Sequence, residues 1–523
     1  MIDYNEFLNP NLTNVKPSGI RKFFSIAEEM DNVISLGVGE PDFLTPWHIR
    51  QQGIDYLERG KTRYTANAGL IELRNEISRY YTRKYLVQYD PKTEVLVTVG
   101  GSEGIDMAIR TLISSGDEVL VVEPSFVCYK PIIEVSGGKA IPIATKLKNE
   151  FKLTPEDIEK AVTPKTKAIV LPFPNNPTGA IMNEAELKGI SEVIKKYNLF
   201  VISDEIYSEL TYTPEGHITI ASIDGMKERT IVINGFSKSY SMTGWRLGYA
   251  LGPAPVIKQM TKLHQFAIMS APTNSQYAAI DALRNGDNDI KKMVMDYDMR
   301  RRFTVDAFRK IGLECFEPKG AFYVFPCIKS TGLSSDEFCE RLIKEKHVAV
   351  IPGNAFGDSG EGYIRASYCY SIDNIKEAIT RIGEFVKEIN GVKWYNDSAS
   401  SSPTRTLSGL NAFKEDIILI AGGYDKNLDY TPLAKTVVDK VKTLILIGQT
   451  AEKIYDVVKN EAEKENKKIN INMCDTLEQT IEIAKKSAKK GDIVLFSPAS
   501  ASFDMFKNFA DRGNQFKDLV NKI

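Results

Sequence analysis

From about residue 95 onward, short runs of β-branched and apolar residues alternate with stretches in which apolar positions recur every three or four residues. The first pattern suits strands buried on both faces and the second suits helices that cover them, so the chain predicts a mostly parallel α/β sheet. The predicted strands are Val95–Val99, Val119–Val122, Ala168–Leu171, Phe200–Asp204, Thr230–Asn234 and Leu247–Leu251. Between the first two, Ile105, Ile109, Leu112 and Ile113 share one helical face behind the turn at Gly100 and Gly101. Ligands of such sheets collect outside the carboxyl ends of the strands, so chemistry is expected there.

Near residue 390 the pattern breaks. The stretch Asn390 to Gly409, NGVKWYNDSASSSPTRTLSG, is rich in Ser, Asn, Gly and Pro and reads as a polar linker. A second α/β series follows it: strand Asp416 to Ala421, helix Thr431 to Val441, strand Leu444 to Ile447, helix Ala451 to Lys459, helix Thr476 to Lys490 and strand Ile493 to Phe496. Residues 391–523 are therefore expected to form a separate Rossmann-like α/β domain behind a unit of residues 1–390.

Composition narrows the classes. The 523 residues are 43% hydrophobic and 26% charged, as in globular proteins. Lys plus Arg is 67 against Asp plus Glu 68, so no net field favours nucleic acid or an anionic membrane. The apolar runs fall far short of the roughly 20 residues of a spanning helix. The amino terminus is acidic and polar, unlike a secretory signal, so a cytoplasmic location is expected. Six cysteines without a CxxC pair and only four histidines indicate neither disulfides nor a metal site.

The decisive segments are SDEIY, Ser203 to Tyr207, and NGFSKSYSMTGWRLGY, which carries Lys238. Asp204 ends one predicted strand and Lys238 lies just past the end of another, so a carboxylate and an amine stand over the same sheet edge. Pyridoxal phosphate needs both: a lysine to carry it and an acid to keep its ring nitrogen protonated. Taken singly, either residue is more simply a surface charge; the flanking motifs alter that reading.

Those motifs, GVGEPDF, YTANAGLIELR, VTVGGSEG, EPSF, NNPTG, SDEIY, SKSYSMTGWR and YIRASY, occur in order from about Ser18 to Val386. The segment resembles the fold-type I pyridoxal-phosphate aminotransferases of the aspartate-aminotransferase superfamily. The resemblance implies a large domain of about 45–285 and an α+β small domain built from the amino-terminal segment and about 286–390. It implies that Lys238 carries the cofactor and then moves the proton at the substrate Cα, that Asp204 pairs with the ring nitrogen, and that Tyr207 and Asn176 bond the ring oxygen. Phe126 would stack on the ring, while Gly101, Ser102 and Glu103 at a helix start, with Ser237 and Arg246, would seat the phosphate. Tyr64 would reach the phosphate of a neighbouring subunit, which implies a homodimer. Arg365, with Asn176 and the Gly39 backbone, would hold the α-carboxylate of an amino acid or 2-oxo acid. Ile20, Arg21 and Tyr129 stand where a substrate side chain passes, with packing for Ile20 and a surface ion pair for Arg21 as the simpler readings. β-Elimination, decarboxylation and a non-catalytic cofactor-binding regulator remain open alternatives to transamination.

WYNDSASSSP, LIAGGYDKN and SPASASFDMFKNFADRGNQF, between Trp394 and Val520, resemble the third domain of Mur ligases, in particular the D-glutamate-adding branch. By that resemblance Lys426, Ser502 and Phe509 would face an amino acid, with Ser401 where the ligases have threonine. Two departures stand out: Ala399 occupies the place of a lysine, and no GxxxxGK[ST] phosphate loop occurs in the chain. An autonomous ligase is not expected, which leaves an amino-acid-binding module, a docking domain or a packing relic.

Overall fold

The computed structural model describes residues 2–15, 17, 19–20, 23, 30–389, 392–413, 415–489 and 491–520, so Arg21, Ser18, Asn390 and Lys490 lie outside the described residues. The chain divides into two compact units, residues 1–308 with 314–379, and residues 309–313 with 380–523.

The first unit is organised by a seven-stranded sheet of β1 (Val95–Thr98), β2 (Glu118–Glu123), β3 (Lys139–Ala144), β4 (Thr166–Leu171), β5 (Phe200–Asp204), β6 (Thr230–Gly235) and β7 (Gly248–Leu251). Their order is β1-β7-β6-β5-β4-β2-β3, and only β7 runs antiparallel to its neighbours. Every residue of β1, β6 and β7 is buried: β6 and β7 are interior strands covered on both faces, and β1, though at the sheet edge, is covered as well. Leu96, Val119, Val121, Val170, Ile202, Ile231 and Ile233 pack with Ile105, Ala108 and Ile109 of helix Gly100–Leu112 into one core. Truncating one of these, such as Ile109, to Ala would cost roughly 2 to 5 kcal/mol. A smaller antiparallel sheet pairs β8 (Tyr323–Val324), β9 (Ile351–Pro352) and β10 (Ile364–Ser367) in the order β9-β10-β8. β10 carries Arg365.

The second unit holds five parallel strands, β11 (Lys393–Asn396), β12 (Ile417–Ala421), β13 (Val441–Ile447), β14 (Asn470–Cys474) and β15 (Ile493–Phe496), in the order β11-β15-β12-β13-β14. Ile417, Leu419, Leu444 and Leu446 face one core and Ile418, Ile420, Ile445 and Ile447 the other, which explains the continuous apolar runs. The expected polar linker is corrected in part: it contains β11 and the start of helix Pro403–Asn411. Trp394 packs against Phe516 at 6.3 Å, and an edge strand that is only half buried keeps a polar composition.

Candidate active site

Three strand ends bring the site together. β5 delivers Asp204 at its carboxyl end, β6 ends at Gly235 and leads through Phe236 and Ser237 to Lys238, and β1 ends at the turn into helix Gly100–Leu112. A cavity of about 290 Å³ opens over this edge, lined by Gly39, Gly101, Ser102, Phe126, Asn176, Asp204, Tyr207, Ser237, Lys238, Arg246 and Arg365. Eleven of the thirteen positions expected to hold the cofactor or the α-carboxylate therefore line one cavity.

The other two do not line it. The side chain of Glu103 turns back along its helix, accepting from the Val99 backbone N–H and pairing with Nδ1 of the fully buried His264 at 2.8 Å. Tyr64 stands on the surface with 81% of its area exposed.

Asp204 is buried, and its Oδ2 accepts a 2.6 Å hydrogen bond from Tyr129 Oη while Oδ1 accepts from Ile206 N at 3.2 Å. Loss of solvation holds its carboxyl above the usual range, and these two donors pull it partly back. Tyr129 thus serves the acid, and it also lines the cavity. Lys238 Nζ donates to the Gly39 carbonyl at 2.7 Å, and burial lowers its pKa to about 8.

At the other end, Gly100 takes φ +74°, a conformation that favours glycine, and a Cβ there would lie 2.9 Å from Arg246 Nη2. A Cβ on Gly248 would meet the backbone of Gly100 and Gly101 at 2.6 and 2.8 Å, so close packing of β7 under the turn sets the helix start beside Arg246. The N-cap residue Val99 offers no side-chain acceptor to the first N–H groups of this helix, and Gly101 and Ser102 of its first turn line the cavity.

Arg365 is 3% exposed. Nη1 donates to Asn176 Oδ1 at 2.9 Å and Nη2 to the Gly37 carbonyl at 2.5 Å, while Nε is buried without a partner. Its guanidinium lies between the rings of Tyr323 and Phe356, at 4.5 and 4.8 Å from their centroids. Tyr323, absent from the sequence reading, also lines the cavity, and its hydroxyl is 2.8 Å from that of Tyr207. Its signal was the run AFYVF, whose aromatic periodicity reads as core. Among the described residues no group of acidic, histidine or cysteine side chains is arranged to hold a metal, and no helix is long and apolar enough to cross a membrane.

In the second unit, Lys426 Nζ lies 5.7 Å from the centroid of the Phe503 ring, Ser502 is buried, and Phe509 is 57% exposed. Much of SPASAS and NDSASSS is structural: the buried Arg512 donates to the carbonyls of Ser398, Ser500 and Ala501 and to Ser398 Oγ.

Residues 383–500 match the family described as Mur ligase, glutamate ligase domain. The chain is 50% identical over 380 residues to a putative aminotransferase, YugH, of Bacillus subtilis, covering 73% of this chain and 98% of that protein. It is 42% identical over 383 residues to aromatic-amino-acid aminotransferase 2 of Thermococcus litoralis, with coverage of 73% and 98%. Among solved structures, the aromatic aminotransferase of Pyrococcus horikoshii superposes with a TM-score of 0.67 at 41% identity, covering 70% of this chain and 99% of that one. The aspartate aminotransferase of Thermus thermophilus with maleate gives 0.69 at 32% identity, covering 72% and 99%. Residues 31–382 match aminotransferase class I and II, and the chain is a member of that family.

Proposed function

We propose that this aminotransferase works with pyridoxal 5′-phosphate held on Lys238 and exchanges an amino group between an L-amino acid and a 2-oxo acid. The observation that carries the reading is the shared cavity: a buried acid, an amine of lowered basicity and a guanidinium fork face one space. The residues fit the cofactor. Asp204 is a desolvated carboxyl suited to a cationic ring nitrogen, and the uncapped helix start at Gly101, Ser102 and Glu103 with Ser237 and Arg246 suits a phosphate. Phe126 would cover the ring face, and Tyr207 and Asn176 would bond the ring oxygen. The bound cofactor supplies the electron sink for charge left at the substrate Cα.

The rest is done by this chain. Arg365 would take the α-carboxylate with the help of Asn176 and Gly39, its unpartnered Nε supplying a further donor. Lys238, once its amine is free, can accept the Cα proton because a pKa of about 8 leaves part of it neutral at physiological pH. Burial of Tyr207 keeps its hydroxyl protonated and so a donor.

A homodimer fits the exposed apolar side chains Leu44, Trp47 and Phe266, which stand 77%, 59% and 81% open. Tyr64 would serve the neighbouring subunit. Residues 1–390 would carry the whole transamination, and the carboxyl-terminal unit would not act as a ligase, since the phosphate loop is missing from the sequence. If that unit keeps an amino-acid site, Lys426, Ser502 and Phe509 would form it. The test is a panel of L-amino acids offered with 2-oxoglutarate and pyridoxal phosphate, reading released 2-oxo acid. Release from at least one donor that disappears in Lys238→Ala is expected; turnover surviving in that variant would overturn the reading.

A further inference from the structure

Tyr323 touches three groups to which the proposed function gives separate tasks. It lies on β8, where it pairs with Ser367 of β10, two residues beyond Arg365. Its ring faces the Arg365 guanidinium at 4.5 Å, its hydroxyl is 2.8 Å from Tyr207 Oη, and a Cβ on Gly39 would lie 2.0 Å from that hydroxyl. The carbonyl of Gly39 in turn takes the Lys238 amine at 2.7 Å. A purely packing aromatic at this 1% exposed position could be phenylalanine, like its neighbour Phe322; a buried hydroxyl is retained where it has a partner, and its partner here is Tyr207.

We infer that Tyr323 is a positioning residue that couples occupancy of Arg365 by a carboxylate to the donor strength of Tyr207. The inference rests on the proposed function above. Tyr207 has one hydroxyl proton. When that proton is given to an acceptor in the cavity, the Tyr207 oxygen accepts from Tyr323, and two aligned hydroxyls polarise one another into a stronger donor. The positive charge of Arg365 beside Tyr323 draws the Tyr323 phenol toward greater acidity, while burial, the larger effect, holds it up at about 12, so the proton stays in place. A carboxylate arriving on Arg365 cancels part of that charge. Tyr323 then becomes a weaker donor to Tyr207, and Tyr207 a weaker donor into the cavity. Carboxylate binding and basicity at the cofactor site are thereby linked through Tyr323, alongside the Arg365–Asn176 hydrogen bond.

The test uses the full chain loaded with pyridoxal phosphate and follows the pH midpoint of its visible absorption band, with and without 3-phenylpropionate, a carboxylate that has no amino group to react. Tyr323→Phe keeps the ring on Arg365 and removes only the hydroxyl. It should raise the midpoint of the unliganded protein by about half a pH unit and shrink the displacement caused by 3-phenylpropionate. Tyr207→Phe with Tyr323→Phe should match Tyr207→Phe alone, because the second change acts only through the first. A midpoint and displacement in Tyr323→Phe equal to the parent's, or effects of the two changes that simply add, would overturn the coupling. A parent protein with no visible band would overturn the cofactor reading as well, so the two failures are distinguishable.

Discussion

Tyr129 donates a 2.6 Å hydrogen bond to Asp204 in the buried floor of the cavity. Burial raises the Asp204 pKa and this bond lowers it, so Tyr129 helps to keep the acid ionised. Tyr129→Phe should weaken pyridoxal-phosphate binding by about tenfold or more, since a hydrogen bond to a charged group contributes roughly 1.5 to 3 kcal/mol. The sign with pH follows: without the donor, Asp204 takes up its proton at a higher pH, so affinity should begin to fall at a higher pH than in the parent. Cofactor titrations across pH would check this, and superimposable profiles would contradict it.

Arg365→Lys replaces a planar fork with a point charge and cannot satisfy Asn176, Gly37 and a carboxylate in the same geometry. kcat/KM should fall by about 2 kcal/mol, roughly thirtyfold, for amino-acid and 2-oxo-acid substrates alike. The visible spectrum should be retained. Unchanged kinetics for all donors would remove Arg365 from the site.

The lowered pKa of Lys238, about 8, predicts how the cofactor-free protein captures pyridoxal phosphate. The neutral amine is the nucleophile, so the rate of appearance of the visible band should rise with pH and level off near 8. An ordinary lysine would not level off until about 10.4. Stopped-flow absorbance separates the two cases.

Arg512 lies 1% exposed and holds three carbonyls and the Ser398 hydroxyl. Arg512→Ala leaves those acceptors buried without their donor, so the carboxyl-terminal unit should lose at least about 3 kcal/mol of stability. Trp394 packs on Phe516 within that unit, so its fluorescence during denaturation is the probe. An unshifted transition would contradict the role given to Arg512.

What the sequence disclosed, and what it hid, follows burial. The central strands of both sheets were legible because they are apolar on both faces, as Ile417–Ala421 shows. In the two larger sheets the strands passed over were edges: Lys139–Ala144, with a proline and half its face open, Lys393–Asn396 inside an apparent linker, and Asn470–Cys474. The cavity residues were recognisable where a motif marked them, as with Asp204, Lys238 and Arg365. Tyr323 and the bond from Tyr129 to Asp204 were not, because contacts between residues 75 or 116 positions apart depend on packing that no local pattern encodes.

The most direct measurement is to load the purified full chain with pyridoxal phosphate, reduce it with borohydride and locate the modified residue by mass spectrometry of its peptides. Reduction fixes a lysine-bound cofactor irreversibly in place. A single modification at Lys238, lost in Lys238→Ala, is the predicted result. Modification spread over other lysines, or none at Lys238, would contradict the assignment of this cavity as the site of transamination.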